Sequence, residues 1–210
     1  LPLDLAVKVQ RGNGKRTMAM FTDPYCPYCR KLEQSLLQLE DITVYVFMYP
    51  VIRPDAADHS RSVWCSKDRA KAWLDLAAGE KAKVPTASAN CANPVDKVLE
   101  LGRSLRITGT PTLFFANGER AGGGMPIGQL RVKLDEVAKL EVCGYYHQFE
   151  IEDQKKTDIL HIFARTPNPP HVYYYRQLNA GTWTPWEKVN VDIEGDHLIP
   201  IVYNRRHYIF

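Results

Sequence analysis

A chain of 210 residues, 45% hydrophobic and 24% charged with a formal net charge of +3, has room for one large domain or two small ones. No apolar run reaches the roughly 20 residues a membrane-spanning helix needs. The small basic excess, with no Lys/Arg cluster interleaved with aromatics in the first two-thirds, gives no argument for nucleic acid as a partner.

The sequence opens on Leu1-Pro2-Leu3-Asp4, with neither an initiating Met nor a signal peptide, as expected of a mature or truncated product. Residues 3–10 alternate loosely and are expected to form a short helix ahead of a polar turn at 11–16. The apolar run Met18-Ala19-Met20-Phe21 predicts a buried strand. Directly after it, Cys26-Pro27-Tyr28-Cys29 opens a segment of helical period that puts Leu32, Leu36 and Leu39 on one stripe.

A strand, a Cys-x-x-Cys pair and a helix in that order are the arrangement of a thiol–disulfide redox site. Cys26 at the helix start would face unpaired backbone N–H groups and the positive end of the macrodipole, which stabilise a thiolate. Cys29 lies one turn further on, within reach to close a small disulfide ring. Pro27 suits the first helical turn, where its missing N–H costs nothing. Cys26 is therefore expected to attack and Cys29 to resolve. A zinc site needs four ligands, and neither a second Cys-x-x-Cys nor a nearby pair of histidines at three- to five-residue spacing follows. No metal is expected, and no cofactor, since nothing resembles a phosphate loop or a dinucleotide fingerprint.

Residues 42–48, β-branched and aromatic, predict a central strand that ends at Tyr49-Pro50. Residues 58–78 are expected to form a helix carrying Val63, Ala70, Trp73, Leu74 and Ala77 on its apolar side and Cys65 within it. A loop at 79–93 leads to Cys91. Cys65 and Cys91 are either two buried free thiols or a bridge closing a loop of about 25 residues, worth roughly 3 kcal/mol on the chain-entropy model. With cysteines at 26, 29, 65, 91 and 143, a redox pair plus a second pair points to an oxidising compartment and leaves one over. A helix is expected over 96–106. A strand follows over 112–116, entered through Thr110-Pro111 and leaving by the hairpin signal Asn117-Gly118. An amphipathic helix over 127–140 closes the unit.

Several of these segments together resemble the catalytic domain of DsbC/DsbG-type periplasmic disulfide isomerases. They are Phe21-Thr22-Asp23 ahead of Cys-x-x-Cys-Arg-Lys-Leu, Val63-Trp64-Cys65-Ser66-Lys67-Asp68, Cys91, and Gly109-Thr110-Pro111-Thr112. The resemblance spans residues 1 to about 140. It implies an α/β thioredoxin fold with an inserted helical subdomain, over a domain at 1–142, and a periplasmic location. It makes Cys26 the nucleophile, Cys29 the resolving thiol, and Cys65–Cys91 a structural disulfide. Thr110-Pro111 becomes the cis-proline loop that offers backbone to an extended substrate, with Pro27 and Tyr28 beside it at the substrate side. The implied partners are unfolded or misoxidised proteins and a DsbD-type membrane electron donor. Full-length members carry an N-terminal dimerisation domain, so a homodimer is expected only where such a domain precedes this chain, which here starts at what looks like the linker helix. A monomer would serve mainly as a dithiol oxidase or reductase.

From Gly144 the composition changes: five of the six histidines and seven of the eleven tyrosines lie beyond it. Short strands are expected at 159–164, 172–176, 183–189, 198–203 and 207–210, forming an antiparallel β-rich segment over 143–210. His161-Ile162-Phe163-Ala164-Arg165-Thr166, Tyr173-Tyr174-Tyr175-Arg176, Trp183-Thr184-Pro185-Trp186-Glu187-Lys188-Val189 and Asp192-Ile193-Glu194-Gly195-Asp196-His197 resemble part of the neuraminidase-like region of insecticidal toxin-complex A subunits. There the region is structural or binds host surfaces. Asp192, Glu194, Asp196, Tyr203, Arg205 and Arg206 are residue types used in glycoside chemistry. No spacing assembles them, so they are expected to be solvated loop residues, and the histidines strand-face residues. The segment reads as a piece of a larger sheet assembly; a natural fusion, an engineered chimera and a concatenation all fit it. Cys143 at the junction reads as a free thiol or an intermolecular link.

The expected function is thiol–disulfide exchange or isomerisation on proteins that are folding. Two other readings stand beside it: a binding or structural module of a toxin that carries a thioredoxin-like domain, and a dedicated redox partner of a secretion or conjugation apparatus.

Overall fold

The computed structural model describes residues 1–88, 90–152, 155–167, 169–191, 193, 198–203 and 206–210. The chain divides into two compact units, one of residues 1–115 and 119–134, the other of residues 116–118 and 135–210.

The first unit is built on five strands: β1 (Val7–Arg11), β2 (Arg16–Thr22), β3 (Ile42–Met48), β4 (Thr112–Phe115) and β5 (Arg120–Gly122). Their order is β1-β3-β2-β4-β5, with β2 and β3 parallel and every other pairing antiparallel. The helices are α1 (Pro27–Leu36), α2 (Ala56–Trp64), α3 (Arg69–Ala77), α4 (Val95–Ser104) and α5 (Ile127–Ala138), with α2 to α4 inserted between β3 and β4.

Strands β2 and β3 read as continuous apolar runs because both faces of the sheet are covered. On one face Met18, Met20, Val44 and Val46 pack with Leu32 and Leu36 of α1, Trp73 and Leu76 of α3, and Leu130 and Leu134 of α5. On the other, Phe21, Phe47 and Tyr49 pack with Val98 of α4 and Ile107. Phe21 and Phe47 are partners in register, and their rings stack 4.7 Å apart. Helix α4 comes close through Gly102, where an added Cβ would fall 2.3 Å from the Tyr49 ring.

Two expected helices take another form. Residues 3–10 are a short 3₁₀ turn (Leu3–Leu5) followed by β1, with Val7 and Val9 buried and Lys8 and Gln10 exposed. The period is two, and pairing with β3 fixes it. The expected helix over 58–78 is two helices. Its break lies at Cys65–Asp68, where the Asp68 side chain accepts from the Lys71 N–H at 3.0 Å and starts α3 afresh. Leu39 is buried beyond the end of α1 rather than on it.

In the second unit, β6 (Glu141–Glu152), β7 (Lys155–Arg165), β8 (Tyr173–Asn179) and β10 (Glu187–Lys188) form an antiparallel sheet in the order β10-β8-β7-β6. The short β9 (Thr182–Trp183) pairs with β8, and β11 (Pro200–Tyr203) with β12 (Arg206–Ile209) forms a separate hairpin. The sequence reading holds no counterpart of β6, and the expected boundary at 142/143 falls inside it. Its pattern is broken by a register shift between Val142 and Gly144. An added Cβ at Gly144 would lie 2.5 Å from the Leu198 carbonyl oxygen, and the Leu198 N–H donates to the Cys143 carbonyl. The glycine is thus a packing requirement rather than a strand end. The expected strand over 183–189 is two short pieces, β9 and β10, separated at Thr184–Trp186. Tyr203 is exposed on β11 and Arg206 lies on β12; Asp192, Glu194, Asp196 and Arg205 lie outside the described residues.

One buried carboxyl tunes the first unit. Glu33 of α1, 8% exposed, accepts from the Trp73 Nε1–H of α3 at 2.8 Å. Burial pushes its carboxyl up to about 7, against the Trp73 hydrogen bond, which favours the ionised form. The unfolded chain, titrating near 4.5, binds fewer protons than the fold between those two values. Stability therefore falls as pH rises across that window. Glu33→Gln, which keeps an acceptor for Trp73, is expected to remove this slope, a difference of about 3 kcal/mol between pH 4 and pH 8. Denaturant titrations at both pH values measure it.

Candidate active site

The site forms where β2 hands over to α1. Asp23, fully buried just past β2, accepts three backbone N–H bonds: Tyr25 at 2.8 Å, Val51 at 2.7 Å and Ile52 at 2.9 Å. The carboxyl thereby pins the loop before the cysteines to the chain leaving β3. Nothing in the sequence alone assigns Asp23 this role. The signal available was an Asp-Pro dipeptide directly after a buried strand, a turn initiator with a side chain suited to capturing backbone donors.

Cys26 is the N-cap of α1 and Pro27 its first residue. The Cys26 sulfur occupies the place of a capping oxygen: the Cys29 N–H donates to it at 3.4 Å. The Thr110 carbonyl oxygen lies 3.2 Å from the same sulfur and accepts from the thiol form. Burial works against ionising Cys26, but hydrogen bonds from the Thr110 side chain, from Cys29 and from the Tyr28 backbone outweigh it, so the thiol is held below its ordinary value. Cys29, 2% exposed, has the opposite balance, and burial pushes its thiol up to about 12. Two identical side chains three residues apart are thus made unlike, one an anion in waiting and one a closed thiol.

The Thr110-Pro111 peptide bond is cis. Its neighbourhood is tied down by the Thr112 hydroxyl donating to the Gly109 carbonyl at 2.7 Å and the Gly123 N–H donating to the Pro111 carbonyl at 2.8 Å. Between this loop and α1 runs a cleft of about 590 Å³, lined by Tyr28, Lys31, Ser35, Thr110, Gly123 and Met125 among others. Tyr28 is 68% exposed, an aromatic ring standing free at the rim of the cleft. Tyr25 points away from it. Its hydroxyl meets Asp55 at 3.2 Å and His59 at 3.0 Å, and the Arg53 guanidinium and Lys81 ammonium lie 4.5 Å and 4.1 Å from its ring centroid.

Cys65, at the end of α2, and Cys91 are joined in a disulfide with Cα atoms 6.2 Å apart. Cys143 is a free, half-buried thiol on β6, and burial pushes its pKa up. The structure therefore gathers Cys26, Cys29, Thr110, Pro111 and Tyr28 at one place, with Pro27 exposed beside them, and keeps Cys65, Cys91 and Cys143 apart from that place. Among the described residues no group of three or more His, Cys, Asp or Glu side chains is placed to hold a metal ion.

The model of a thioredoxin-like domain matches residues 3–138, and that of a neuraminidase-like domain matches residues 140–210. The probable thiol:disulfide interchange protein DsbC of Bordetella pertussis is 46% identical over 135 residues, covering 64% of this chain and 47% of that protein. The thiol:disulfide interchange protein DsbC of Escherichia coli is 32% identical over 130 residues, covering 60% and 53%. Among solved structures, a disulfide interchange protein from Neisseria gonorrhoeae aligns with a TM-score of 0.58 and 44% identity, over 63% of this chain and 94% of that one. The chain spans about half the length of the curated relatives it matches.

The contrast between the two thiols is directly measurable. In the reduced chain, iodoacetamide is expected to modify Cys26 at neutral pH faster than it modifies free cysteine at the same pH. Its rate should level off on the acid side of an ordinary thiol titration, while Cys29 stays unmodified up to at least about pH 10. Mass mapping of the alkylated peptides across pH checks both.

Proposed function

Because this chain belongs to the thioredoxin-like domain family through residues 3–138, we propose that it is a thiol–disulfide oxidoreductase acting in the periplasm on disulfides of folding proteins, with Cys26-Pro27-Tyr28-Cys29 as its redox site. The observation that carries this reading is geometric: Cys26 Sγ caps α1 and accepts from the Cys29 N–H, the cis Thr110-Pro111 loop lies against it, and Cys29 is buried one turn on. The DsbC relatives and the Cys65–Cys91 bridge, which needs an oxidising compartment, support it.

In the reduced chain the Cys26 thiolate attacks one sulfur of a substrate disulfide. A bond forms between Cys26 Sγ and that sulfur, the substrate S–S bond breaks, and the departing thiolate takes a proton from solvent. From the mixed disulfide two exits exist. When a different substrate thiolate attacks the sulfur bound to Cys26, a new substrate disulfide forms and Cys26 leaves as the thiolate, so no electrons are transferred overall and the result is isomerisation. When Cys29 loses its proton and attacks Cys26 Sγ, the 26–29 disulfide forms and the substrate leaves reduced by two electrons. The second exit consumes the dithiol, so repeated turnover needs an external dithiol donor of the DsbD type.

The high pKa of Cys29 favours the first exit. A resolving thiol that is almost entirely protonated at neutral pH gives a bound substrate time to rearrange. The cleft beside Thr110-Pro111, with the exposed ring of Tyr28 at its rim, suits an extended chain held through its backbone, a mode that asks little of substrate sequence.

Cys26→Ser is expected to abolish catalysis of both insulin reduction by dithiothreitol and refolding of scrambled ribonuclease. Cys29→Ala should instead keep the ability to capture substrates and accumulate them as mixed disulfides visible on non-reducing gels. Full activity of the Cys26→Ser chain in either assay contradicts the assignment.

A further inference from the structure

The second unit carries a polar cluster that thiol chemistry does not use. On one face of its sheet, His161 of β7 and Tyr175 of β8 lie side by side, and the β11–β12 hairpin brings His207 onto them. The Tyr175 hydroxyl is 2.7 Å from His161 Nδ1 and 3.3 Å from His207 Nε2, and the two imidazole nitrogens are 3.2 Å apart. These atoms come from three strands, and His161 and His207 are 46 residues apart in the chain. Both histidines lie on strands, as the sequence predicts, and the hairpin brings the two together.

The proton on each member of the cluster can be placed so that three lone pairs meet. Gln148 donates through Nε2 to Glu150 Oε1 at 3.1 Å, which turns its Oε1 toward His161 Nε2 at 3.3 Å. That acceptor fixes the His161 proton on Nε2, so Nδ1 presents a lone pair to the cluster. The Tyr175 hydroxyl has a second acceptor, Gln177 Oε1, at 3.0 Å. With His207 as the Nδ1–H tautomer and the Tyr175 O–H turned to Gln177, the lone pairs of His161 Nδ1, His207 Nε2 and the phenol oxygen face one space. The separations also suit a cation. Neighbouring ligands of a tetrahedral metal with bonds of about 2.0 Å sit roughly 3.3 Å apart, and a point about 2.0 Å from all three atoms lies roughly 1 Å off their plane. An outer acceptor on the far nitrogen of a ligand histidine is the usual support of such a site.

We propose that His161 Nδ1, His207 Nε2 and the Tyr175 hydroxyl form a binding site for a divalent late first-row transition cation of the zinc or copper class, with Gln148 as the positioning residue that sets the His161 tautomer and a fourth coordination place open. Imidazole nitrogens select this class over magnesium and calcium, which prefer all-oxygen shells. His161 is 3% exposed and His207 is exposed, so the cation enters from the His207 side. Bound there, it cross-links the β11–β12 hairpin to the sheet.

The test is titration of Cu²⁺ into the full chain with the 26–29 pair oxidised, so that neither motif thiol is available, followed by calorimetry and electron paramagnetic resonance. One equivalent is expected to bind, with hyperfine coupling to two imidazole nitrogens. His207→Ala, an exposed substitution, should weaken binding by more than about 100-fold and reduce the coupling to one nitrogen. Gln148→Ala should weaken it by roughly 10- to 100-fold. Cys143→Ser and His147→Ala should leave it unchanged. Absence of stoichiometric binding, unchanged affinity in His207→Ala, or loss of binding in Cys143→Ser or His147→Ala each overturns the proposal.

Discussion

A sulfur atom serving as the cap of a helix is the constraint on which the proposed redox site rests. The first turn of any α-helix leaves backbone N–H groups without partners, and an acceptor on the preceding residue usually meets one of them. Here that acceptor is Cys26 Sγ, bonded to the N–H of Cys29. Oxygen caps are stronger as neutral acceptors, so a thiol is a poor choice for stability alone. It becomes a good one when ionised, because both the N–H groups and the macrodipole reward negative charge. The helix thus gains most from Cys26 in its reactive form. The same turn carries Cys29 inward, where burial penalises its charge. One helix start therefore holds one thiol below its ordinary titration and the other above it.

Holding that start in place falls to Asp23. The first unit buries two carboxyl groups near the redox helix and treats them differently. Asp23 receives three N–H donors from two chain segments, a saturated arrangement that fixes the approach to Cys26 against the chain after β3. Glu33, one turn beyond Cys29, receives a single donor from Trp73 and sits among apolar side chains. A carboxyl with one partner in such surroundings is more comfortable neutral, and its titration is displaced accordingly. The first group secures geometry. The second links α1 to the inserted helices, at a desolvation cost that grows as the carboxyl ionises.

Much of this was legible in the sequence because local signals agreed with the global fold. The run before Cys26, the leucine stripe of α1, the apolar β3 and the Asn-Gly turn after β4 each carried one period without interruption. The misreadings arose where tertiary contacts overrode the local pattern. Four of the five residues of β1 look helical in isolation and become a strand only because β3 offers an edge. A continuous helical period across 58–78 hides a break set by one capping aspartate. Strand β6 was missed because Gly144, which punctuates a pattern when read alone, answers to a carbonyl more than 50 residues away. The role of Asp23 was illegible for the same reason: two of its three donors belong to residues 28 and 29 positions further on.

The β-rich unit shows the same principle with a different consequence. Alternation along β7 and β8 places every second residue on one face, so His161 and Phe163 share a side, as do Tyr175 and Gln177. That face is apolar at one end, where Phe163, Tyr173 and Leu198 pack, and polar at the other, where His161 and Tyr175 meet. Burying an imidazole on that face is costly unless its nitrogens are satisfied. The cluster satisfies them by mutual contact, which couples the β11–β12 hairpin to the sheet through polar atoms rather than through bulk. A single charge placed among those atoms would therefore tighten the join between the hairpin and the sheet.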